Sequence, residues 1–448
     1  MSGYGPRIID WLSQLRSSYG FLPGCMAVGA LLVAIGVLAL PAEWGPVVAD
    51  AIGLPSAPDA EAMRALMSLI AASTIGTGAV AFSVIVAASV TAAGQYGPRL
   101  LTNFLADRAT QVTLGVFVSS FVYAIFIYAV IREGERNFGL AGMVGMVFAF
   151  ASVAALIFFL HHAPAQLRIN QAISNIGESL LKNVSTRFPA NCGYPVRDVD
   201  VDTARKAYED RKSGFPLKAQ TAGLVSIIDG NALARSAAKA GVLVTLRIRP
   251  GQFQTPGQAI ADIHGGGLDD ACLDELRSAF AVAKLRTPSQ DNEFLADELT
   301  EIAMRALSPG INDPYTAIAC MEWLGAALSR MAEAEDPLPY RRAEGGGFRV
   351  YAEPYGFADY LQGTFGRIRQ VSATNVRAAE GHFHALALAA VGTEESDVAM
   401  TALRAEARAL LEQAEIALSG PDLMAVRHAA ETFDAALALT PPALDKFR

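Results

Sequence analysis

The residues with the clearest chemical potential lie in one polar stretch. It begins Arg286-Thr287-Pro288-Ser289-Gln290-Asp291 and ends Arg305-Ala306-Leu307-Ser308-Pro309-Gly310-Ile311-Asn312-Asp313-Pro314-Tyr315-Thr316. Arginine guanidinium groups pair with carboxylates or phosphates in planar, two-pronged contacts, and Asp291 and Asp313 supply acids close by. A helix starting at Asp313 would offer free N–H groups to an anion, yet the Asp313 carboxylate fills that position itself. The spacing therefore favours a structural corner. One helix stops at Ser308-Pro309-Gly310, Asp313 caps the next, Pro314 takes its first position, and Arg305 pairs with an acid. The alternative is a ligand site built from Arg286, Asp291, Arg305, Asn312 and Asp313. Asp291, Glu293, Asp297, Glu298 and Glu301 crowd one helix start, where carboxylates complement the helix dipole more readily than they make an acid/base pair.

Other chemistry-bearing residues are sparser. Adjacent histidines such as His161 and His162 point about 100° apart on a helix and cannot form an i, i+4 metal pair. At the end of a membrane helix they serve as interfacial cations, with pH sensing as the alternative. His382 and His384 are likewise poorly spaced to share a ligand. No nucleophile elbow, phosphate-binding loop, dinucleotide fingerprint, zincin helix or calcium loop occurs in the sequence. No catalytic residue, metal ligand or cofactor is assigned. The four cysteines, Cys25, Cys192, Cys272 and Cys320, form no CxxC pair and read as free thiols.

The elements that must carry these residues begin in a membrane. No Asp, Glu, Lys or Arg occurs from Ala65 to Pro98, or from Ala109 to Ile131. A bilayer core needs about 20 helical residues to cross. Four spans are expected, at about 21–40, 66–93, 110–131 and 138–160. The first is retained as a span, because no small-residue cleavage site follows it in a convincing place. A mean hydropathy of +0.30 and a charged fraction of 18% fit an apolar first third joined to a remainder of globular composition. The net charge of −8 leaves no basic footprint for nucleic acid.

Basic residues set the expected orientation. Arg7 and Arg16 precede the first span, and Arg99 and Arg108 flank the connector between the second and third. The connector from Ala42 to Met63 has no Lys or Arg. The N-terminus, the second connector and the C-terminal part then share the cytoplasmic side of a bacterial inner membrane. Arg99 and Arg108 would lie at headgroup level, anchoring the topology, binding anionic lipid or framing a pore mouth. On the second span, Ser73, Thr77 and Thr91 fall within about 40° of one another. Close helix packing is the first explanation for that face, and the lining of a water-filled path is the second.

Beyond the membrane domain (1–165), a helical linker is expected over 166–219, a small β-rich unit over 220–286 and a helical region over 287–448. Asn231 is the expected cap of a short helix. The turns Pro250-Gly251 and Pro256-Gly257 imply a β meander or small barrel. From Leu268 onward the pattern is helical, with one helix expected over Asp270–Ala283 and a helical hairpin over 395–439. The fold class is a mainly α membrane protein, with a four-helix transmembrane domain followed by a cytoplasmic α+β domain.

These features together resemble the bacterial integral membrane proteins grouped as DUF2254. The resemblance is carried by Gln95-Tyr96-Gly97-Pro98-Arg99-Leu100-Leu101, by Asp107-Arg108-Ala109-Thr110-Gln111-Val112-Thr113-Leu114-Gly115-Val116-Phe117, by His161-His162 and by the 286–314 stretch with its Ala-Leu-Ser-Pro-Gly-Ile-Asn-Asp-Pro string. Where relatives tend to have Phe-Ser-Pro-Arg and Gly-Tyr, this chain has Tyr-Gly-Pro-Arg at 96–99 and Gly-Leu at 223–224. The resemblance covers almost the whole chain and implies the topology, not a reaction.

Three functions of different classes fit. The first is a homo-oligomeric channel lined by Ser73, Thr77 and Thr91 and regulated by its soluble domain. The second is a membrane-anchored sensor or scaffold, and the third a membrane-surface enzyme using the 286–316 corner. The bilayer and further copies of the chain are the expected partners. The membrane spans carry no acid or lysine, which argues against an ion-coupled transporter that relies on such groups.

Overall fold

The computed structural model describes residues 20–40, 44, 47, 60–97, 107–130, 138–166, 168–196, 214–287, 290–291, 293–334, 336–393 and 397–438. The protein is mainly helical, with four apolar helices followed by a region of helices and small mixed sheets. Two compact units divide between Ala172 and Ile173.

In the first unit the helices are α1 (Phe21–Ala39), α2 (Ala60–Tyr96), α3 (Arg108–Val130) and α4 (Phe138–Gln166). All four contain stretches long and apolar enough to cross a membrane. At 37 residues, α2 is about 55 Å long against a hydrocarbon core of about 30 Å, so it tilts or extends past that core. The centre is apolar: Ala30, Ala34, Met67, Tyr123, Ala124 and Ile127 are buried together. Glycines on α4 let α2 approach, because a Cβ on Gly142 would lie 2.4 Å from the Met63 methyl and one on Gly145 would lie 2.6 Å from the Met67 methyl. Several polar side chains of this bundle bond internally, as hydrocarbon favours. Tyr123 donates to the Ala141 carbonyl at 2.8 Å, and the Ser120 and Ser152 hydroxyls lie 2.8 Å apart between α3 and α4. Leu69, Val80, Val84, Phe150 and Ile157 remain on the outside, an arrangement suited to lipid.

The second unit opens on α5 (Ile169–Asn183), most of which lies beyond Ala172. Strands β1 (Tyr194–Pro195), β2 (Phe215–Lys218), β4 (Leu243–Leu246), β6 (Ala259–His264), β8 (Tyr340–Arg342) and β9 (Phe348–Tyr351) form a six-stranded sheet in the order β1-β8-β9-β4-β6-β2. Among the described residues, β4 and β9 pair in parallel and the sheet's other pairs are antiparallel. A second sheet pairs β5 (Phe253–Gln254), β3 (Gly223–Ile228) and β7 (Phe280–Ala283). The short helices α6 (Gly230–Lys239) and α7 (Asp270–Arg277) pack with them. Val225, Leu233, Val244, Ile263, Leu276 and Val350 form part of the shared core.

Local pattern misplaces several details here. The cap of α6 is Asp229, whose carboxylate accepts from the Ala232 N–H, two residues before Asn231. The expected helix over Asp270–Ala283 stops at Arg277, and Phe280–Ala283 is a strand because it pairs with β3. Strands β8 and β9 likewise fall inside the stretch expected to be helical, and sheet partners distant in sequence hold them. Local periodicity carries no information about such partners.

The remaining helices are α8 (Glu293–Ala306), α9 (Pro314–Glu333), α10 (Phe357–Ser372), α11 (Val376–Ala390), α12 (Asp397–Ala417) and α13 (Gly420–Ala438). Helices α9 and α11 approach closely through glycines: a Cβ on Gly325 would lie 2.4 Å from the Ala385 carbonyl oxygen, and one on Gly381 would lie 2.4 Å from Ile318. The α12–α13 hairpin packs on α10 and α11 of the same unit.

Candidate functional site

A cluster of interlocked charges gathers where β7 runs out and α8 begins. Asp291, almost fully buried, caps α8 by accepting from the Phe294 N–H at 3.1 Å. Its two oxygens also take the Arg286 guanidinium edge-on, from Nε at 2.6 Å and from Nη2 at 2.9 Å. The third Arg286 nitrogen donates to Asp297 Oδ2 at 2.5 Å, and the other Asp297 oxygen accepts from Arg367 Nη1 at 2.8 Å. Arg286 also lies over the Phe294 ring at 5.7 Å. The Pro250-Gly251 turn presses directly on this pair. Gly251 has φ +89°, and a Cβ there would sit 2.2 Å from Asp291 Oδ2, so both its conformation and its lack of a side chain are needed.

Beside that pair lies Glu293, in the first turn of α8. Arg249 approaches its Oε1 at 3.8 Å and covers the Tyr355 ring at 4.4 Å. A small cavity of about 10 Å³ is lined by Arg187, Arg249, Asp291, Glu293, Tyr355 and Tyr360 among others, enough for one water molecule at most. Gln290 ties this wall to β3: its amide oxygen accepts from the Ile228 N–H at 2.8 Å, and its amide nitrogen donates to the Ile228 carbonyl at 3.3 Å.

Burial and charge set the titration of this cluster. Burial pushes the Glu293 carboxyl up to about 7; Arg249 and Arg286 oppose the shift, and Asp291 and Asp297 reinforce it. Burial alone would weaken the Arg286 cation, but its contacts to Asp291 and Asp297 hold it more firmly protonated than usual. Tyr355 and Tyr360 are raised by burial and then by neighbouring acids, Glu293 first among them, and stay neutral.

The structure divides the predicted corner. Arg286 and Asp291 meet in the cluster. Arg305, Asn312 and Asp313 make separate contacts near the other end of α8, about 20 Å along a helix of 14 residues. Arg305 pairs with Glu301 at 3.3 Å. Asn312 has φ +51°, and its side-chain oxygen accepts from Asn375 at 3.4 Å. Asp313 caps α9 through the Thr316 N–H at 3.1 Å and the Thr316 hydroxyl at 2.6 Å. Arg249, Tyr355, Tyr360 and Arg367 were not foreseen, because they join the site from distant turns and from α10. The only local hint was Arg249 directly before a tight turn.

The membrane residues fall elsewhere. Ser73 and Thr91 are exposed on the flank of α2 and Thr77 is half-buried. The Ser73 hydroxyl donates to the Leu69 carbonyl at 2.6 Å and that of Thr91 to Ala87 at 2.9 Å. Arg108 is exposed at the start of α3, and Arg99 lies outside the described residues. His161 is exposed, while His162 lies 3.2 Å from Asp107 Oδ2 and stacks on Phe158. No group of three or more His, Cys, Asp or Glu side chains among the described residues is placed to hold a metal ion.

Uncharacterised proteins of Mycobacterium tuberculosis and Mycobacterium bovis are similar to this chain, at 29% identity over 320 residues that cover 68% of it. The chain's match spans 60% of the length of these curated relatives. No solved structure matches. The family described as predicted membrane proteins, DUF2254, matches residues 16–387. With four apolar spans and the 286–314 signature inside the matched stretch, the chain belongs to the DUF2254 family of predicted membrane proteins.

Proposed function

We propose that this protein is a membrane-anchored sensor whose C-terminal unit responds to protonation through the cluster around Glu293. The observation that carries this reading is the placement of Glu293. It is a half-buried carboxylate at a helix start, facing Arg249 from the turn after β4, Asp291, Arg286 and Asp297 along its own segment, and Tyr355 and Tyr360 from around α10. A proton there changes the charge balance among groups already packed together. The cavity beside it is too small for a substrate, and an enzyme reading would want a cleft with two perturbed carboxylates. The basic residues Arg7, Arg16, Arg99 and Arg108 support a cytoplasmic C-terminal unit at a bacterial inner membrane, where pH near 7 brackets the titration.

Hydrogen exchange of the full chain in lipid nanodiscs tests this at pH 6 and pH 8, after correction for intrinsic rates. Segments 187–193, 290–300 and 353–362 are expected to lose protection as pH rises, and Glu293→Gln to abolish the difference. Equal corrected exchange at both pH values in the wild type would sink the reading.

A second reading, a homo-oligomeric permeation pathway, is favoured by the exposed flank of α2. Gly76, Ala79, Ser83, Ala87 and Thr91 recur there at helical spacing on the outside of the bundle, so a path along them would run between copies. Ion flux into vesicles holding purified protein, blocked by Thr77→Trp, would favour it. Silent vesicles from folded protein would leave the sensor alone.

A further inference from the structure

An open apolar groove of about 600 Å³ runs between α3 and α4. Its walls are Ala109, Val112 and Val116 on one side and Ala151, Ala154 and Phe158 on the other. The groove exists because three alanines on α4 (Ala151, Ala154 and Ala155) leave space where larger side chains would have closed the helix pair. Its one wall hydroxyl, Thr113, already donates to the Ala109 carbonyl at 2.9 Å. Nothing in the walls asks for a polar ligand. From Arg108 to Val116 the groove follows α3 for about 12 Å, starting where the apolar span itself starts.

The mouth of the groove has a different character. Arg108 lines it, is exposed, and forms no hydrogen bond or ion pair with any described residue. The nearest acid in sequence, Asp107, is committed elsewhere: it accepts from the Thr110 N–H at 2.8 Å, from the Thr110 hydroxyl at 2.7 Å, and lies 3.2 Å from His162 Nε2. His162 in turn stacks on the groove residue Phe158, with ring centroids 5.0 Å apart. A guanidinium with no partner among the described residues, at the membrane boundary and with a hydrocarbon-lined channel leading inward from it, matches one chemistry: a phosphate ester carrying an acyl chain.

We infer that the α3–α4 groove is a binding site for an anionic phospholipid, with one acyl chain along Val112, Val116 and Ala154 and the phosphate on Arg108. The site retains lipid selectively, in contrast to the exchanging lipid around the rest of the bundle. Its specificity comes from the cation at the mouth and its occupancy from the width the alanines leave. Arginine suits the role because its fork can take two phosphate oxygens at once.

The test uses the full chain purified in mild detergent, stripped of lipid and titrated with phosphatidylglycerol or phosphatidylcholine, with bound lipid counted by native mass spectrometry. The wild type is expected to hold one phosphatidylglycerol per protomer with about five-fold preference over phosphatidylcholine, the ratio one surface arginine supports. Arg108→Ala should bring the two lipids level, and Arg108→Lys should keep part of the preference. Ala154→Trp, which fills the groove and leaves the cation in place, should lose both lipids. Equal wild-type retention of the two lipids would overturn the assignment, as would unchanged occupancy in Ala154→Trp. These two outcomes decide the matter even if Arg108→Ala does not fold.

Discussion

Two charge clusters in the C-terminal unit use nearly the same ingredients and reach opposite ends. At the start of α8, Arg286, Asp291 and Asp297 interlock beside a half-buried Glu293. Between α10, α11 and α12, Arg369 donates to Glu406 at 2.9 Å, and the His382 ring lies 3.7 Å from the same carboxylate. Ser372 Oγ is 2.9 Å from His382 Nδ1. His382 is fully enclosed, and burial, followed by the nearby Arg369 charge, drives its pKa down to about 3. It is therefore neutral at any pH a cell meets. Glu293 keeps an opening to solvent and titrates near neutrality. The difference teaches that a titratable group beside an opposite charge makes no switch by itself: the depth of burial decides whether a proton can reach it within the physiological range.

The largest effect that would break this comparison is expected at Arg286. Arg286→Ala leaves the almost inaccessible Asp291 carboxylate without its two-pronged partner, and stripping a buried pair of one member costs about 3–5 kcal/mol. Thermal unfolding of the full chain in detergent should show the loss. Arg286→Lys should recover only part, since a point charge cannot bridge Asp291 and Asp297 together. Gly251→Ala comes next, at about 2 kcal/mol, because it forces a side chain into a left-handed backbone conformation and against Asp291. The steric share should shrink in an Asp291→Ala background, which a double-mutant cycle would read directly. Arg369→Met should cost less than Arg286→Ala, about 1–3 kcal/mol. Glu406 is already raised by burial and can take a proton when its arginine is removed. If Arg369→Met proved the costlier change, the sealed cluster would be the one that depends on its charge.

How much of this was legible beforehand follows from the range of the forces involved. The membrane helices were plain, because uncharged runs such as Ala109–Ile131 are a local property of the chain. Asp313 as a cap and Pro314 behind it were equally local. Arg286 and Asp291 could be singled out together because they lie five residues apart, yet their partners could not. Arg249 and Tyr355 reach Glu293 only after β4, β9 and α10 have found their places. Glu406 was invisible for the same reason: on α12 it reads as one more surface charge, and only packing against α10 and α11 encloses it. The expected helix over Asp270–Ala283 ends at Arg277, because Phe280–Ala283 finds a strand partner in β3, far away in sequence.

The effect that is smallest per step of the measurement, a slope with pH, separates the two clusters most cleanly, because their contributions to stability run in opposite directions with pH. Glu293 has a folded value of about 7 against an ordinary 4.5. Between those values the folded state holds the extra proton, so the relative stabilisation is complete below about 4.5 and is lost as pH rises through 7. His382, at about 3 when folded and 6.5 ordinarily, does the reverse: its contribution is complete above about 6.5 and is lost as pH falls toward 3. Glu293→Gln removes only the first of these. Melting temperatures of the wild type and the variant from pH 5 to pH 8 should therefore diverge, with the variant gaining about 1 kcal/mol or less per pH unit relative to the wild type, one proton being the limit. The divergence should stop above pH 8, where Glu293 is ionised in both states. A constant offset across the series would mean that Glu293 is held ionised by Arg249 throughout, which would make this cluster as fixed as the one around His382.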